Sequence, residues 1–509
     1  MLGRAARTRP MVREAQQRFS GGLNTAADDI NLGPEQLRQA NEATLDIYGG
    51  VAKRLGSRNT NASALGAPSP VRGIYCWQRA SGVQYLGVAN GTLYTSPGGA
   101  LPWTWSAVAA GPHFSNSAQI SFAAFRDGGG ECVYIADGGL LNSWDGATLT
   151  LDIAGTPNLT RVWVYNQRLH GVIGSNETIH WSGLNNGDSC GNAAAGGGSS
   201  VVRTFGDRYI TTGVTLRASS LMFHVSGISR FTGISLDDIQ IGAGTQGITS
   251  DVGTIYPSSV ISLENEAFCL TDRGFYRVTE GGVEPISLAI TPTIRAMDTT
   301  QAARVVVGHN RALYEVWWYL PDLGVMRYNY ALRAWTGPCA GGYIDPLTYT
   351  LCEAVDADNN PIVLAGTADG FVKWCDYPSL YLDNVAAAGT GGSAYTFIAR
   401  LRRLFWNDPT VQKSLAYIEL IASLRGSAGA GLQVVTDSGT YTYTFPTLTS
   451  GIYGSGTWGS GTWAGLLSRG YRIPVRGRGI YADIYLIDSG TVGSLWSRVE
   501  GQAYNLQRP

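Results

Sequence analysis

The chain has 509 residues, too many for one ordinary core, so two or three domains are expected. Lys+Arg 37 against Asp+Glu 38 leave a formal charge of -1, which excludes a protein that coats nucleic acid through bulk positive charge. With 44% hydrophobic and only 15% charged residues it is also no long disordered acidic chain.

The first residues, Met1-Leu2-Gly3-Arg4, have a charged front but no following apolar stretch, so no signal peptide is expected. No run approaches the roughly 18 apolar residues of a membrane helix. Seven Cys (Cys76, Cys132, Cys190, Cys269, Cys339, Cys352, Cys375) lie far apart with no CxxC pair, which reads as reduced thiols made in a cytoplasm. The sequons at Asn61, Asn158 and Asn176 are then chance matches. Only three Lys occur (Lys53, Lys373, Lys413), a bias that most simply reflects a GC-rich genome.

Residues 1-70 read as an N-terminal arm. Pro34-Glu35-Gln36-Leu37-Arg38-Gln39-Ala40-Asn41 predicts a short helix, with Pro in the first turn and good helix formers after it. Leu45 to Arg54 predicts a hairpin about Gly49-Gly50, and residues 56–70 a small, polar linker.

From residue 71 to 385 the texture becomes short strands separated by Gly, Asn and Asp turns, and the strands recur. Aligned on one aromatic-rich strand, successive copies end at Tyr94, Trp144, Trp181, Phe231, Val278, Tyr328 and Trp374, with steps of 50, 37, 50, 47, 50 and 46 residues. A period of that size with several strands per unit is the spacing of a β-propeller blade. A small sheet has two apolar faces, and stacking sheets around an axis covers both. Six or seven blades fit; two stacked β-sandwiches would show turns without a long period. Residues 386-509 begin with a Gly/Ala/Ser linker and predict a β-sandwich-like domain, with strands over 395–405, 415–421, 432–443 and 481–487. Trp458 and Trp463 sit in a Gly/Ser/Thr-rich loop, exposed or at an interface. The fold expected is therefore all-β.

No catalytic signature stands out. Gly242-Ala243-Gly244-Thr245-Gln246-Gly247 matches the dinucleotide fingerprint, but no helical period follows, so a turn between blades is expected and no cofactor. The five His (His113, His170, His180, His224, His309) show no metal-ligand spacing; His170 and His180 meet only if a hairpin places them together. Thr367-Ala368-Asp369-Gly370 and Ser143-Trp144-Asp145-Gly146 fall one residue short of the Asp-box turns of sugar-cleaving propellers. Asp237, Asp238, Asp251, Glu264 and Glu266 are the carboxylates available to a glycosidase, though solvated turn positions suit them better. Arg400, Arg402 and Arg403, with Arg469, Arg472, Arg476 and Arg478, form basic clusters. On one strand Arg400 and Arg402 would share a face, for phosphate or for acidic partners within the domain or on a neighbouring subunit, the pairing being preferred.

The ordered set of motifs resembles the propeller-bearing tail nozzle proteins, the packaged-DNA stabilisation proteins of short-tailed bacteriophages. The resemblance runs through Phe19-Ser20-Gly21-Gly22-Leu23-Asn24, Tyr48-Gly49-Gly50, Lys53-Arg54-Leu55-Gly56 and Asn166-Gln167-Arg168-Leu169. It continues with Trp181-Ser182-Gly183, Gly274-Phe275-Tyr276-Arg277, Met326-Arg327-Tyr328 to Trp335, and the Trp458/Trp463 loop. It departs at the turn after Trp181, which lacks a usual Pro and Trp, and at the Gly/Ala/Ser-rich insertion 188–200. The resemblance implies a non-enzymatic virion structural protein: a homo-oligomeric ring, by analogy a hexamer, in the virion tail and made in the host cytoplasm. Its implied partners are a portal adaptor protein, tail fibre or spike proteins, and genomic DNA held without sequence specificity. No active site carries over; Arg400, Arg402, Arg403, Trp458 and Trp463 are the candidate channel or subunit-interface residues. The competing expectation is a propeller glycan hydrolase or lectin on a phage tail or cell surface.

Overall fold

The computed structural model describes residues 11–66, 68–108, 111–202, 208–232, 245–339, 348–406, 408–424, 429–445, 469–475, 477–491 and 493–505. Its larger part is a β-propeller. Blade 1 is an antiparallel meander of Val71–Arg79, Gly82–Ala89, Thr92–Ser96 and Ser106–Ala107. The same four-stranded unit recurs as blade 2 over residues 121–150, blade 3 over 161–201, blade 4 over 210–249 and blade 5 over 261–285. Blade 6 spans 306–339, and its fourth strand continues into the neighbouring domain's sheet; blade 7 takes three strands from 348–375 and its fourth, Ser57–Asn59, from the N-terminal side. Six sheets thus stand alone and a seventh is shared.

The ring follows from what fills the seams. Along Glu315–Leu320 of blade 6, Val316, Trp318 and Leu320 pack toward blade 5, while Trp317 and Tyr319 pack toward blade 7 with Leu351 and Val363. Period-two alternation thus serves two neighbours, and the strand is buried throughout. Trp77 and Leu86 of blade 1 meet Val133 and Trp144 of blade 2, and Ile74 and Tyr85 on the other face of blade 1 meet Leu364 and Cys352 of blade 7. That last contact closes the circle. Tight turns keep the strands short: Asn166 and Gln167 take φ of 51° and 58°, and Asn90-Gly91 take 48° and 70°, the left-handed pairs of a two-residue hairpin.

The second domain is a sandwich of two sheets. One has the order Arg469–Pro474, Lys413–Leu424, Ser494–Asn505, Val51–Lys53, Ala43–Leu45, with Met11–Gln16 also paired to Ser494–Asn505. The other has the order Gln36–Asn41, Phe397–Leu401, Asp483–Asp488, Ala430–Thr436, Gly439–Thr444. Leu37, Phe397, Leu432 and Leu486 from one face Ile418, Leu420, Trp496 and Val499 from the other in a common core.

Two expectations need correction here. Residues 36–41 form a strand: Leu37 and Ala40 are fully buried and the segment lies between Phe397–Leu401 and blade 6, where ladder pairing outweighs helix propensity. The N-terminal segment is also no separate arm, because 11–53 supplies five strands to the sandwich sheets and the expected linker supplies Ser57–Asn59 to blade 7. The predicted hairpin is present, with Leu45 paired to Val51.

Candidate functional site

A buried polar cluster lies where the N-terminal segment threads between propeller and sandwich. Arg54 is fully buried. Its Nε donates to Glu42 Oε2 at 2.6 Å, and Nη1 and Nη2 donate to the two oxygens of Asp383 at 2.8 and 2.6 Å. The guanidinium lies 3.9 Å from the centre of the Tyr395 ring, whose hydroxyl donates to the Arg54 carbonyl at 2.5 Å. Burial works to lower the Arg54 pKa, but Asp383 and then Glu42 outweigh it and the pKa is raised. Beside it, the Lys53 ammonium donates to the Tyr395 carbonyl at 2.9 Å and the Gly490 carbonyl at 2.6 Å. Burial lowers the Lys53 pKa, and Asp488 offsets this only in part.

A second buried arginine stands close by. Arg327 Nη1 and Nη2 donate to Asp376 at 3.1 and 3.0 Å, and Nη1 lies 3.5 Å from Glu315. Glu315 also accepts from Trp317 Nε1 at 2.7 Å and Thr44 Oγ1 at 3.0 Å, so it ties blade 6 to the sandwich. Burial raises the Glu315 pKa against the opposing pull of Arg327. Cys339, its thiol pushed up to about 12 by burial, feels the charges of both networks. Arg54 and Arg327 are held by planar, multi-pronged bonding that a lysine would not reproduce. Chemically the arrangement is a bolt: every hydrogen bond named here ends on another part of the same chain.

Sequence reading singled out Lys53-Arg54 only as a motif and missed Glu42, Asp383, Tyr395, Glu315 and Asp376. The available signal was a charged residue inside an apolar run, as in Glu315-Val316-Trp317-Trp318-Tyr319-Leu320, since such a residue is buried only with a partner.

The predicted arginine cluster is brought together, and its partners are intramolecular. Arg400 Nη2 lies 3.0 Å from Asp29 and 3.1 Å from Asp483, and Arg403 Nη2 lies 3.1 and 2.8 Å from the same carboxylates. Arg402 reaches Glu14 at 2.9 Å instead, because the strand ends at Leu401 and the shared face of Arg400 and Arg402 is lost. Of the candidate-interface readings, pairing within the domain is what these side chains make. Trp458 and Trp463 lie outside the described residues, as do Arg476, Asp237 and Asp238. Arg472 covers the Tyr417 ring at 3.5 Å.

The remaining candidates take ordinary places. In the ladder of blade 3, His170 pairs with Trp181 and His180 with Gly171, so the two histidines point to opposite faces and do not meet. His170 is buried among Trp163, Tyr165 and Phe231, and burial pushes its pKa down to about 4. Glu266 pairs with Arg277, Asp251 is exposed, and Glu264 occupies a turn at φ 50°. Asp145 accepts from the amides of Ala147 and Thr148, and Asp369 from the Thr367 hydroxyl, so both near-Asp-boxes are self-satisfied hairpin turns. Of the fingerprint, Thr245-Gln246-Gly247 begins the outer strand of blade 4. Residues 188–200 form two 3-10 turns and the start of blade 3's fourth strand. Among the described residues no group of three or more His, Cys, Asp or Glu is placed to hold a metal ion, and no helix is long and apolar enough to cross a membrane.

The class defined by these observations is a β-propeller joined to a β-sandwich by a threaded N-terminal segment. No family model matches the chain, and no curated protein does. Among solved structures it is similar to the extracellular domain described as part of a hybrid two component system from B. thetaiotaomicron. That likeness has 10% identity and a TM-score of 0.42, over 76% of this chain and 46% of that one. A one component system domain from the same organism gives 12% identity and a TM-score of 0.45, over 68% and 46%. The chain thus spans under half the length of either, and neither likeness carries an argument about function.

Proposed function

We propose that this chain is a non-enzymatic structural protein of a bacteriophage virion, one subunit of a tail nozzle ring that retains packaged DNA and forms the channel for its ejection. The observation that carries the reading is where the family-like motifs fall. Gly22 of Phe19-Ser20-Gly21-Gly22 takes φ +58°, and a Cβ there would lie 2.5 Å from the Trp335 carbonyl of blade 6. Arg54 of Lys53-Arg54-Leu55-Gly56 is the buried bolt, and Gly56 lies against the Leu382 backbone. Arg327 of Met326-Arg327-Tyr328 anchors blade 6 to Asp376, and Trp335 Nε1 donates to the Ile286 carbonyl at 2.7 Å. The residues of these motifs thus hold elements together, as a load-carrying part of a particle requires. A near-neutral chain suits a bore through which a polyanion slides. In this reading further copies complete a hexamer, and a portal adaptor and tail fibres or spikes flank it.

Mass spectrometry of purified virions from the phage encoding this chain tests the reading. The chain is expected in tail fractions in a fixed ratio to portal subunits. Absence from particles overturns it, and release of fragments from host polysaccharide by the pure protein would favour the glycan hydrolase instead.

A further inference from the structure

The seam between blade 7 and blade 1 differs from the other six, because it joins segments far apart in sequence and depends on the borrowed strand Ser57–Asn59 for its outer edge. Cys76 lies on the first strand of blade 1, Val71–Arg79, and Cys352 on the first strand of blade 7, Thr348–Val355. The two face each other. Ile74 and Cys76 pack with Cys352 and Ala354, whereas Tyr75 and Trp77 turn to blade 2 and Leu351 turns to blade 6. On the blade 7 side of the seam, Cys352 Sγ donates to the Glu353 carbonyl at 3.0 Å. All seven cysteines are free thiols, and Cys76 alone is partly exposed while the other six are buried. Cys76 is thus the thiol most open to an oxidant, and Cys352 belongs to the cluster it packs against across the seam.

We propose that Cys76 and Cys352 are a disulfide-forming pair that covalently closes the propeller when the protein meets a disulfide oxidant such as oxidised glutathione. The Cys76 thiolate attacks one sulfur of the oxidant, forming a mixed disulfide and expelling one glutathione thiolate. The Cys352 sulfur then attacks Cys76 and expels the second. Two protein thiols are oxidised, one glutathione disulfide is reduced to two thiols, and the two thiol protons pass to the departing thiolates. Burial raises both protein thiols, so the exchange is slow at neutral pH and speeds up as pH rises. The inference is independent of the nozzle reading.

The test is incubation of the folded full-length protein with oxidised glutathione at pH 8.5, followed by intact mass and peptide mapping after alkylation. The expected product is lighter by two hydrogens and yields a Cys76–Cys352 linked peptide. Cys352→Ser is expected to stop at a glutathione adduct on Cys76, and Cys76→Ser to give neither product. The oxidised wild type is expected to unfold at a higher urea concentration than the reduced form, a shift absent from both variants. Wild-type protein in which both thiols remain alkylatable, in which Cys76 keeps glutathione without forming the link, or in which a different pair is joined overturns the proposal.

Discussion

Replacing Asp383 with Asn tests whether the buried arginine network holds propeller and sandwich together. Asn keeps the shape but removes the charge that meets both Nη atoms of Arg54, while Glu42 stays bonded to its Nε. Both side chains of the Arg54–Asp383 pair are fully buried. Breaking such a pair costs about 3–5 kcal/mol, because the surviving charge stays out of water without its counterion. With a urea m-value of ~3 kcal/mol/M, the unfolding midpoint should fall by about 1 M or more. Arg54→Met should cost a similar amount, since it leaves Asp383 and Glu42 buried without their cation. The double variant removes both orphaned charges of the pair, so its cost should fall short of the sum by about 2 kcal/mol or more. Urea titrations followed by tryptophan fluorescence supply all four corners of the cycle. The reasoning is refuted if Asp383→Asn costs under about 1 kcal/mol, or if the two single costs add within about 0.5 kcal/mol.

Gly56→Ala should loosen the closing strand of blade 7, because a Cβ there would lie 2.0 Å from the Leu382 carbonyl oxygen. A loss of about 1–3 kcal/mol is expected, with hydrogen exchange rising first in Ser57–Asn59 and its partner Val372–Cys375. His170 should make the fold acid-sensitive. Its folded pKa of about 4 lies below the ordinary 6.5, so the unfolded chain takes the proton first and stability falls as pH drops from 6.5 to 4. The full effect is about 3 kcal/mol, and His170→Phe should flatten that part of a stability–pH profile. Lys53, Lys373 and Lys413 are all buried, so an amine-reactive ester should leave all three unmodified in the folded protein and label them after denaturation.

The propeller was legible because its cause is local and repeated. Trp144, Trp181, Phe231 and Tyr328 recur at a blade's spacing since each fills the same kind of seam. Asn90-Gly91 and Asn166-Gln167 mark hairpins through their own backbone preferences. What sequence could not reveal were pairings made at long range. Gln36–Asn41 carries helix-forming residues, and only Phe397–Leu401 far downstream makes it a strand. Ser57–Asn59 is polar enough to pass for a linker until Val372–Cys375 presents its free edge. The junction was hidden for the same reason: Arg54 and Asp383 are 329 residues apart, and neither position alone advertises burial. Arg400 and Arg403 were conspicuous as a cluster, but Asp29 and Asp483, which absorb them, are single acids scattered in sequence.

The central proposal, that this chain belongs to a phage tail ring, is tested most directly by electron cryo-microscopy of the virions that proposal assigns it to. The account predicts six copies in a closed ring below the portal, with each propeller and sandwich as described and DNA density along the axis. Particles whose tail ring is built from other chains, with this protein attached peripherally as single copies or missing, would contradict it.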